Sequence, residues 1–333
     1  MNELMKKVFK NTSNPYVDTL EKSELLDKSD PIVTEIPALN LILSGEVDGG
    51  FNCGITTIAG ESKNFKTLFG LNMCKAFLDK NPKGILVFFD SEFGSPRSYF
   101  NFFGKSGTER VIHFPVATVE ELRTEMLNQI EGFDRDDKVM FMVDSIGNLA
   151  SIKETEDSLD GKTTVDMTRA KMIKSLFRLI TARLIIKDIP LVVVGHTYQT
   201  LEMFSKQVLG GGTGTIYASD TIIFVGKQQD KDGKELLGYN FILKSEKSRF
   251  VREKMAIPVN VKYVGGIYKY SGMFELAVKY EIILNPTKGW YEYNGKKLRR
   301  KEVEADDEMM KEIVSNEKFR QLVQSEYQLD DVL

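Results

Sequence analysis

Gly60-Glu-Ser-Lys-Asn-Phe-Lys-Thr67, entered through Ile55-Thr-Thr-Ile-Ala59, is the stretch on which the reading of this chain turns. The entering run is short, apolar and β-branched and reads as a buried strand, so the order is strand, phosphate loop, helix. The general loop pattern is G-x-x-x-x-G-K-S/T, and Phe65 stands where the second glycine belongs. That glycine normally keeps a Cβ out of the way while backbone N–H groups turn toward phosphates, so its loss weakens the match. The remaining chemistry is complete. Gly60 serves the turn, Lys66 reaches the β- and γ-phosphates, and Thr67 offers a hydroxyl to Mg²⁺ at a helix N-terminus that favours anions. Glu61, Ser62, Lys63, Asn64 and Phe65 complete the loop, with Leu68 just inside the helix. A chance glycine–lysine pair is the alternative until partners are found.

Partners follow along the chain. Lys138-Val-Met-Phe-Met-Val-Asp144 sets five apolar residues before an acid, as in a central strand buried on both faces. A carboxylate at the C-terminal end of such a strand lies where α/β sheets bind ligands, which suits a hold on the Mg²⁺ of ATP. Gly84-Ile-Leu-Val-Phe-Phe-Asp90-Ser-Glu92 repeats the design, and Glu92 is the candidate base for an attacking water. A solvated glutamate is the plain alternative, which only geometry removes. Ile189-Pro-Leu-Val-Val-Val-Gly195 delivers His196 to the same edge, where a γ-phosphate can be sensed. His113, in a further strand-like run, reads as an ordinary satisfied histidine.

Composition sets the limits. The chain has 333 residues, 42% of them hydrophobic, enough for one large core and a smaller appendage. Nothing approaches a membrane span, and Met1 to Lys10 lacks the apolar run of a secretory signal. Cys53 and Cys74 have no metal-ligand spacing and read as free thiols of a reducing compartment. A net charge of −3 does not announce a nucleic-acid binder. Phosphate backbones need only a focused basic groove, however, because charge is screened beyond about 10 Å. Acid gathers at Glu302 to Glu308 and at Asp330-Asp331, while Lys244, Lys247, Arg249, Arg252 and Lys254 cluster in one short region. Two long polar or glycine-rich connections, from about Ala150 to Val165 and from Tyr198 to Gly214, leave the nucleotide edge of the sheet.

Taken together, Asp90-Ser-Glu-Phe-Gly94, Asp144-Ser-Ile-Gly-Asn-Leu-Ala150, His196-Thr-Tyr-Gln199, Met203-Phe-Ser-Lys206 and Gly210-Gly-Gly-Thr-Gly214 resemble, in order, the motifs of RecA-type recombinases. The resemblance is strongest to the UvsX recombinases of tailed phages and runs from about Ile32 to Trp290. That family often carries phenylalanine in the glycine place of the phosphate loop. The resemblance implies an α/β fold: a RecA-like P-loop ATPase core with a mainly parallel central sheet, an N-terminal helical arm and a small α+β C-terminal domain. It implies ATP and Mg²⁺ as cofactors, Glu92 as the catalytic glutamate, Tyr99 against the adenine, and His196 as the link between nucleotide state and the next loop. It also implies that Lys247 and Arg249 reach a neighbouring subunit's γ-phosphate, so that ATP lies between protomers.

The same resemblance makes the two long connections DNA-binding loops lining a filament axis. Met203 and Phe204 would then wedge between bases and Lys206 contact phosphate, while Gly210, Gly211, Gly212 and Gly214 let the backbone approach DNA. The organisation expected is an oligomerisation arm over 1–30, with helical periodicity through Leu4, Val8, Leu20, Leu25 and Leu26. An ATPase and DNA-binding core follows over 31–270, and a C-terminal domain over 271–333, in which Trp290 reads as core. The function expected is an ATP-dependent recombinase that forms helical filaments on single-stranded DNA and pairs it with double-stranded DNA. A loading mediator and a single-strand-binding protein are the expected partners, and the host cytoplasm the compartment. A RecA-fold helicase and a non-catalytic, ATP-gated DNA-binding filament remain as alternatives.

Overall fold

The protein is described here from a computed structural model covering residues 2–26, 29–94, 100–101, 103–162, 167–199 and 207–329. Its main sheet comprises β1 (Gly54–Gly60), β2 (Ile85–Asp90), β3 (Val111–Pro115), β4 (Val139–Asp144), β5 (Pro190–Gln199), β6 (Gln207–Leu209), β7 (Thr221–Asp232), β8 (Glu235–Ser248), β9 (Ala256–Lys262) and β10 (Gly266–Ile267). The spatial order is β10-β9-β8-β7-β1-β5-β4-β2-β3, with β6 paired to β5. Strands from β7 to β3 run parallel, whereas β8, β9 and β10 extend the sheet antiparallel.

Both faces of the parallel part are covered, so β1 and β4 are buried at every position. The two-residue period sorts their neighbours. Leu86 and Phe88 of β2 join the side packed by helix Lys66–Lys80, while Val87 and Phe89 join the side packed by helices Val119–Glu131 and Thr168–Ile186. Phe69, Phe88, Phe89, Phe141 and Phe177 are fully buried, each worth roughly 1.5–3 kcal/mol of transfer free energy. No helix among the described residues is long and apolar enough to cross a membrane.

The register brings the strand ends together. Gly60 lies opposite His196 and Asp90 opposite Asp144, so the phosphate loop and the three acids or imidazole expected near it emerge from one edge. The C-terminal part adds a small antiparallel sheet, β11 (Leu284–Thr287), β12 (Trp290–Tyr293) and β13 (Lys296–Leu298), and helices Asp307–Ser315 and Glu317–Tyr327. Met310, Ile313, Phe319, Val323 and Tyr327 from these helices share one apolar cluster with Leu39, Ile42 and Phe241.

Three expectations change. Among its described residues the N-terminal arm is helical only over Glu3–Lys10, where no residue is buried. The helix closes at Asn11, whose N–H reaches the carbonyls of Lys7 and Val8, and Asn14-Pro15 lies in the following stretch of turns that contains Leu20 and Leu25. The connection from Ala150 to Val165 is not simply a loop, since Ile152–Leu159 forms a helix. Ser151 accepts from Glu154 N and Glu154 reaches back to Ser151 N, a capping box that polar composition had disguised. Trp290 is half-buried rather than core, with the Arg299 guanidinium 3.7 Å and the Lys297 ammonium 5.1 Å from its ring centre.

Candidate active site

The phosphate loop takes its shape from two close approaches. Gly60 passes so near β7 that a Cβ there would lie 2.6 Å from the Val225 carbonyl oxygen. Asn64 Nδ2 donates to that same oxygen at 2.7 Å and ties the crown of the loop to the neighbouring strand. Phe65 then adopts φ 55°, ψ 23°, the left-handed conformation that the missing glycine would take freely. Its ring offsets the strain by lying 4.7 Å from that of Phe241. An aromatic residue thus occupies the glycine position with the backbone geometry unchanged in kind.

Lys66 opens the following helix and is buried, with Nζ donating to the Glu61 carbonyl at 2.8 Å inside the loop. Burial lowers its pKa, opposed by the charges of Glu92 and Asp144. Thr67 Oγ1 donates to Asp144 Oδ2 at 2.9 Å, while Asp144 Oδ1 is buried without a partner. Desolvation pushes the Asp144 carboxyl up to about 7. The Thr67 hydrogen bond pulls the other way, Glu92 and Asp90 add to the rise, and Lys66 opposes it.

A hydroxyl beside an orphaned carboxylate oxygen is an all-oxygen donor set that fits a hard cation such as Mg²⁺. No group of three His, Cys, Asp or Glu side chains among the described residues could hold a metal alone. That suits an ion whose remaining ligands are phosphates and water.

Glu92 stands across the cleft, Oε1 3.6 Å from His196 Nε2. Its backbone is fixed rather than loose: Glu92 N donates to Asp90 Oδ1 at 3.0 Å and to the Asp144 carbonyl at 3.3 Å. Burial holds the His196 imidazole below the usual histidine range, as does the Lys66 charge, against a pull from Glu92. The His196 carbonyl accepts from Gly210 N at 2.7 Å, which joins the end of β5 to the glycine turn. Ser62, Lys63, Asn64, Phe65, Lys66, Thr67, Leu68, Glu92, Asp144 and His196 therefore line one open cleft of about 390 Å³.

Lys227 lines the same cleft and was not foreseen from the sequence. It sits on β7 two residues beyond Val225, with Nζ 3.8 Å from the Tyr239 ring centre and donating to the Lys63 carbonyl at 3.5 Å. Only strand pairing brings it there, so no local signal pointed to it.

Lys247 and Arg249 do not join the cleft of their own chain. Lys247 pairs with Ile222 near the start of β7, toward the opposite edge of the sheet. Its Nζ donates to the carbonyls of Ile216 (2.8 Å), Tyr217 (3.3 Å) and Ser219 (2.6 Å) at the end of helix Thr213–Ala218. Arg249 Nε lies 2.9 Å from Asp220 Oδ1, whose other oxygen accepts from Ile55 N. Of the glycines expected to approach DNA, Gly211 and Gly212 have positive φ, whereas Gly210 and Gly214 lie against protein. A Cβ on Gly214 would lie 2.7 Å from Lys174 Cα. Tyr99, Met203, Phe204, Lys206 and Asp330-Asp331 lie outside the described residues.

The chain is similar to the recombination and repair protein of Enterobacteria phage T4, with 45% identity over 291 residues, 87% of this chain and 74% of the phage protein. Two bacterial proteins named RecA are more distant. That of Leptospira biflexa is 23% identical over 277 residues, 80% of this chain and 69% of its own length. That of Desulforapulum autotrophicum is 24% identical over 287 residues, covering 79% and 77%. No family model matches the chain.

Proposed function

Because the chain belongs to the RecA-type recombinases, in the branch of the phage T4 recombination and repair protein, we propose that it is a DNA-dependent ATPase that assembles on single-stranded DNA and catalyses homologous pairing and strand exchange. The observation that carries the ATPase reading is the pairing of Thr67 Oγ1 with Asp144, whose second oxygen is buried and unpartnered, beside the Lys66 ammonium. Glu92 and His196 face this group across the same cleft.

In this reading the loop N–H groups and Lys66 bind the β- and γ-phosphates of ATP, and Thr67 and Asp144 hold Mg²⁺. Bound there, the cation neutralises charge on the phosphate oxygens. Glu92 accepts a proton from the water that attacks the γ-phosphorus, as the β–γ phosphoanhydride bond breaks and ADP leaves. His196, kept neutral, can donate to the Glu92 carboxylate as the cleft closes on the nucleotide, and passes a change at the phosphate to the Gly210 turn through its own carbonyl. Lys247 and Arg249 serve the cleft of an adjacent protomer, which explains their distance from Lys66 in one chain. The segment around Met203, Phe204 and Lys206 contacts DNA, and Tyr99 contacts the base of ATP. Residues 1–30 act as the oligomerisation arm, 31–270 as the ATPase and DNA-binding core and 271–333 as a C-terminal domain. A loading mediator and a single-strand-binding protein complete the assembly in a host cytoplasm.

Phosphate release with and without single-stranded DNA tests the reading. Glu92→Gln should retain ATP binding and DNA-dependent assembly while turnover falls by roughly 10²–10⁴, the range of a general base. Turnover within about threefold of wild type would remove Glu92 from that role.

A further inference from the structure

Outside the groups that line the cleft, one side chain is wired directly to the turn that carries Glu92. His113 lies on β3, opposite Phe88 of β2. Its Nε2 is 3.2 Å from Asp90 Oδ2, and the other carboxylate oxygen of Asp90 accepts from Glu92 N at 3.0 Å and Phe93 N at 2.8 Å. The Asp90 side chain is only 8% exposed, so its oxygens rely mainly on protein partners, while the His113 side chain that reaches it is half-exposed. One carboxylate is thus held from two sides: the imidazole fixes its rotation, and the turn hangs from the oxygen so oriented.

The turn needs holding. Phe93 has φ 50°, in the left-handed region that non-glycine residues occupy only when surroundings impose it. The His113 ring also stacks on Phe88 at 5.9 Å between centroids and meets the Phe93 ring edge-on at 6.5 Å. It therefore touches the start, the hinge and the exit of the segment 88–93. Ser91 braces the other side through the Ser145 carbonyl at 2.7 Å, and Glu92 N is shared between Asp90 Oδ1 at 3.0 Å and the Asp144 carbonyl at 3.3 Å, so Asp90 is the only side chain that holds it among the described residues.

We infer that His113 is a positioning residue for Glu92: through Asp90 it sets where the catalytic carboxylate stands relative to the phosphate loop. The inference rests on the reading of Glu92 as general base. His113 touches neither substrate nor the reacting atoms, and its effect belongs to the chemical step rather than to ATP binding.

The test separates hydrogen bonding from packing. His113→Phe keeps an aromatic ring against Phe88 and Phe93 but loses the donor to Asp90, and His113→Gln restores a donor without the ring. On filaments saturated with single-stranded DNA, His113→Phe should lower kcat about tenfold, a fraction of the roughly 10²-fold that a 1 Å misplacement can cost. KM for ATP and the affinity for single-stranded DNA should stay within about twofold, and His113→Gln should recover most of kcat. The inference is overturned if His113→Phe keeps kcat within about twofold, if KM rises in step with the loss, or if Gln is no better than Phe. Should the Phe variant fail to fold, a His113→Gln protein with kcat reduced as far as that of Asp90→Ala overturns it equally.

Glu92→Gln, assayed alongside, distinguishes the two levels. If Glu92→Gln remains active, the premise falls. If it is inactive while His113→Phe is not, the inference alone falls. Adding His113→Phe to Glu92→Gln should change the residual rate by less than about twofold, since the positioned group is already disabled.

Discussion

Replacing Phe65 by glycine restores the ordinary phosphate-loop pattern, yet it should destabilise this protein. Phe65 is 36% exposed as a residue, so about two-thirds of its burial, roughly 1–2 kcal/mol, is at stake. The contact with Phe241 adds roughly 0.5–1.5 kcal/mol for an aromatic pair. Phe65→Ala removes both and keeps a Cβ in the left-handed region, so it should cost about 1.5–3.5 kcal/mol. Phe65→Gly removes the same packing but relieves about 1–2 kcal/mol of backbone strain. Part of that relief, about 0.5–1 kcal/mol, is lost to the greater freedom of glycine in the unfolded chain. The expected order of stability is Phe, then Gly, then Ala, with Gly above Ala by about 0.5–1 kcal/mol. Urea unfolding followed by circular dichroism, without nucleotide or DNA, reads this order from midpoints at constant slope. Glycine above phenylalanine would mean that the Phe241 contact contributes little, and alanine at or above glycine would refute the argument from backbone strain.

Three further outcomes are expected. Lys227→Ala should raise KM for ATP about three- to tenfold, with kcat within about twofold, because it removes a cation that lines the cleft without touching Glu92; an unchanged KM in steady-state assays would leave Lys227 a partner of Tyr239 only. His196 binds its proton less tightly folded than unfolded, so its contribution to stability is complete above the unfolded pKa of about 6.5 and is lost as pH falls through the lower folded value. Between about pH 7 and pH 5, His196→Gln should therefore lose less stability than wild type in thermal melts, and equal losses would contradict the assignment. Arg249→Ala and Lys66→Ala proteins, each inactive alone, should regain part of their DNA-stimulated hydrolysis when co-assembled. An intact Lys66 then meets an intact Arg249 across an interface, and no recovery at any ratio, with co-assembly demonstrated, would argue against a shared site.

What could be read from the chain alone follows a physical division. Runs such as Val139 to Val143 announce buried parallel strands because both of their faces must be apolar, and their terminal acids announce the ligand edge. Helix Pro37–Ser44 did leave local marks, Pro37 at its start and a left-handed Gly45 at its end, but its uniformly apolar run has no amphipathic period to announce it. Helix Ile152–Leu159 left one as well, Ser151 with Glu154, but its polar composition imitated a loop. Lys227 and the Asn64–Val225 bond arise from β7 lying beside β1, strands about 165 positions apart, so no periodicity could reveal them. Trp290 illustrates the converse error. A lone tryptophan suggests a core, whereas here Arg299 and Lys297 cover its faces on a small outlying sheet.

The three carbonyls around Lys247 give that residue a threshold. An ammonium has three donors, and the accepting carbonyls of Ile216, Tyr217 and Ser219 take all of them. An outside anion can recruit this lysine only by outbidding acceptors it already has, each worth roughly 1.5–3 kcal/mol when the donor is charged. A weak or distant anion leaves the lysine at home, and only a close multivalent one draws it away. When it leaves, the end of helix Thr213–Ala218 loses its cap, and that helix begins one residue after Gly212. If Lys247 does serve an adjacent protomer, as proposed, exchange of its acceptors would convert the arrival of charge at one side of the protein into a slackening of the segment that follows the glycine turn, without any chain of rigid motions between them.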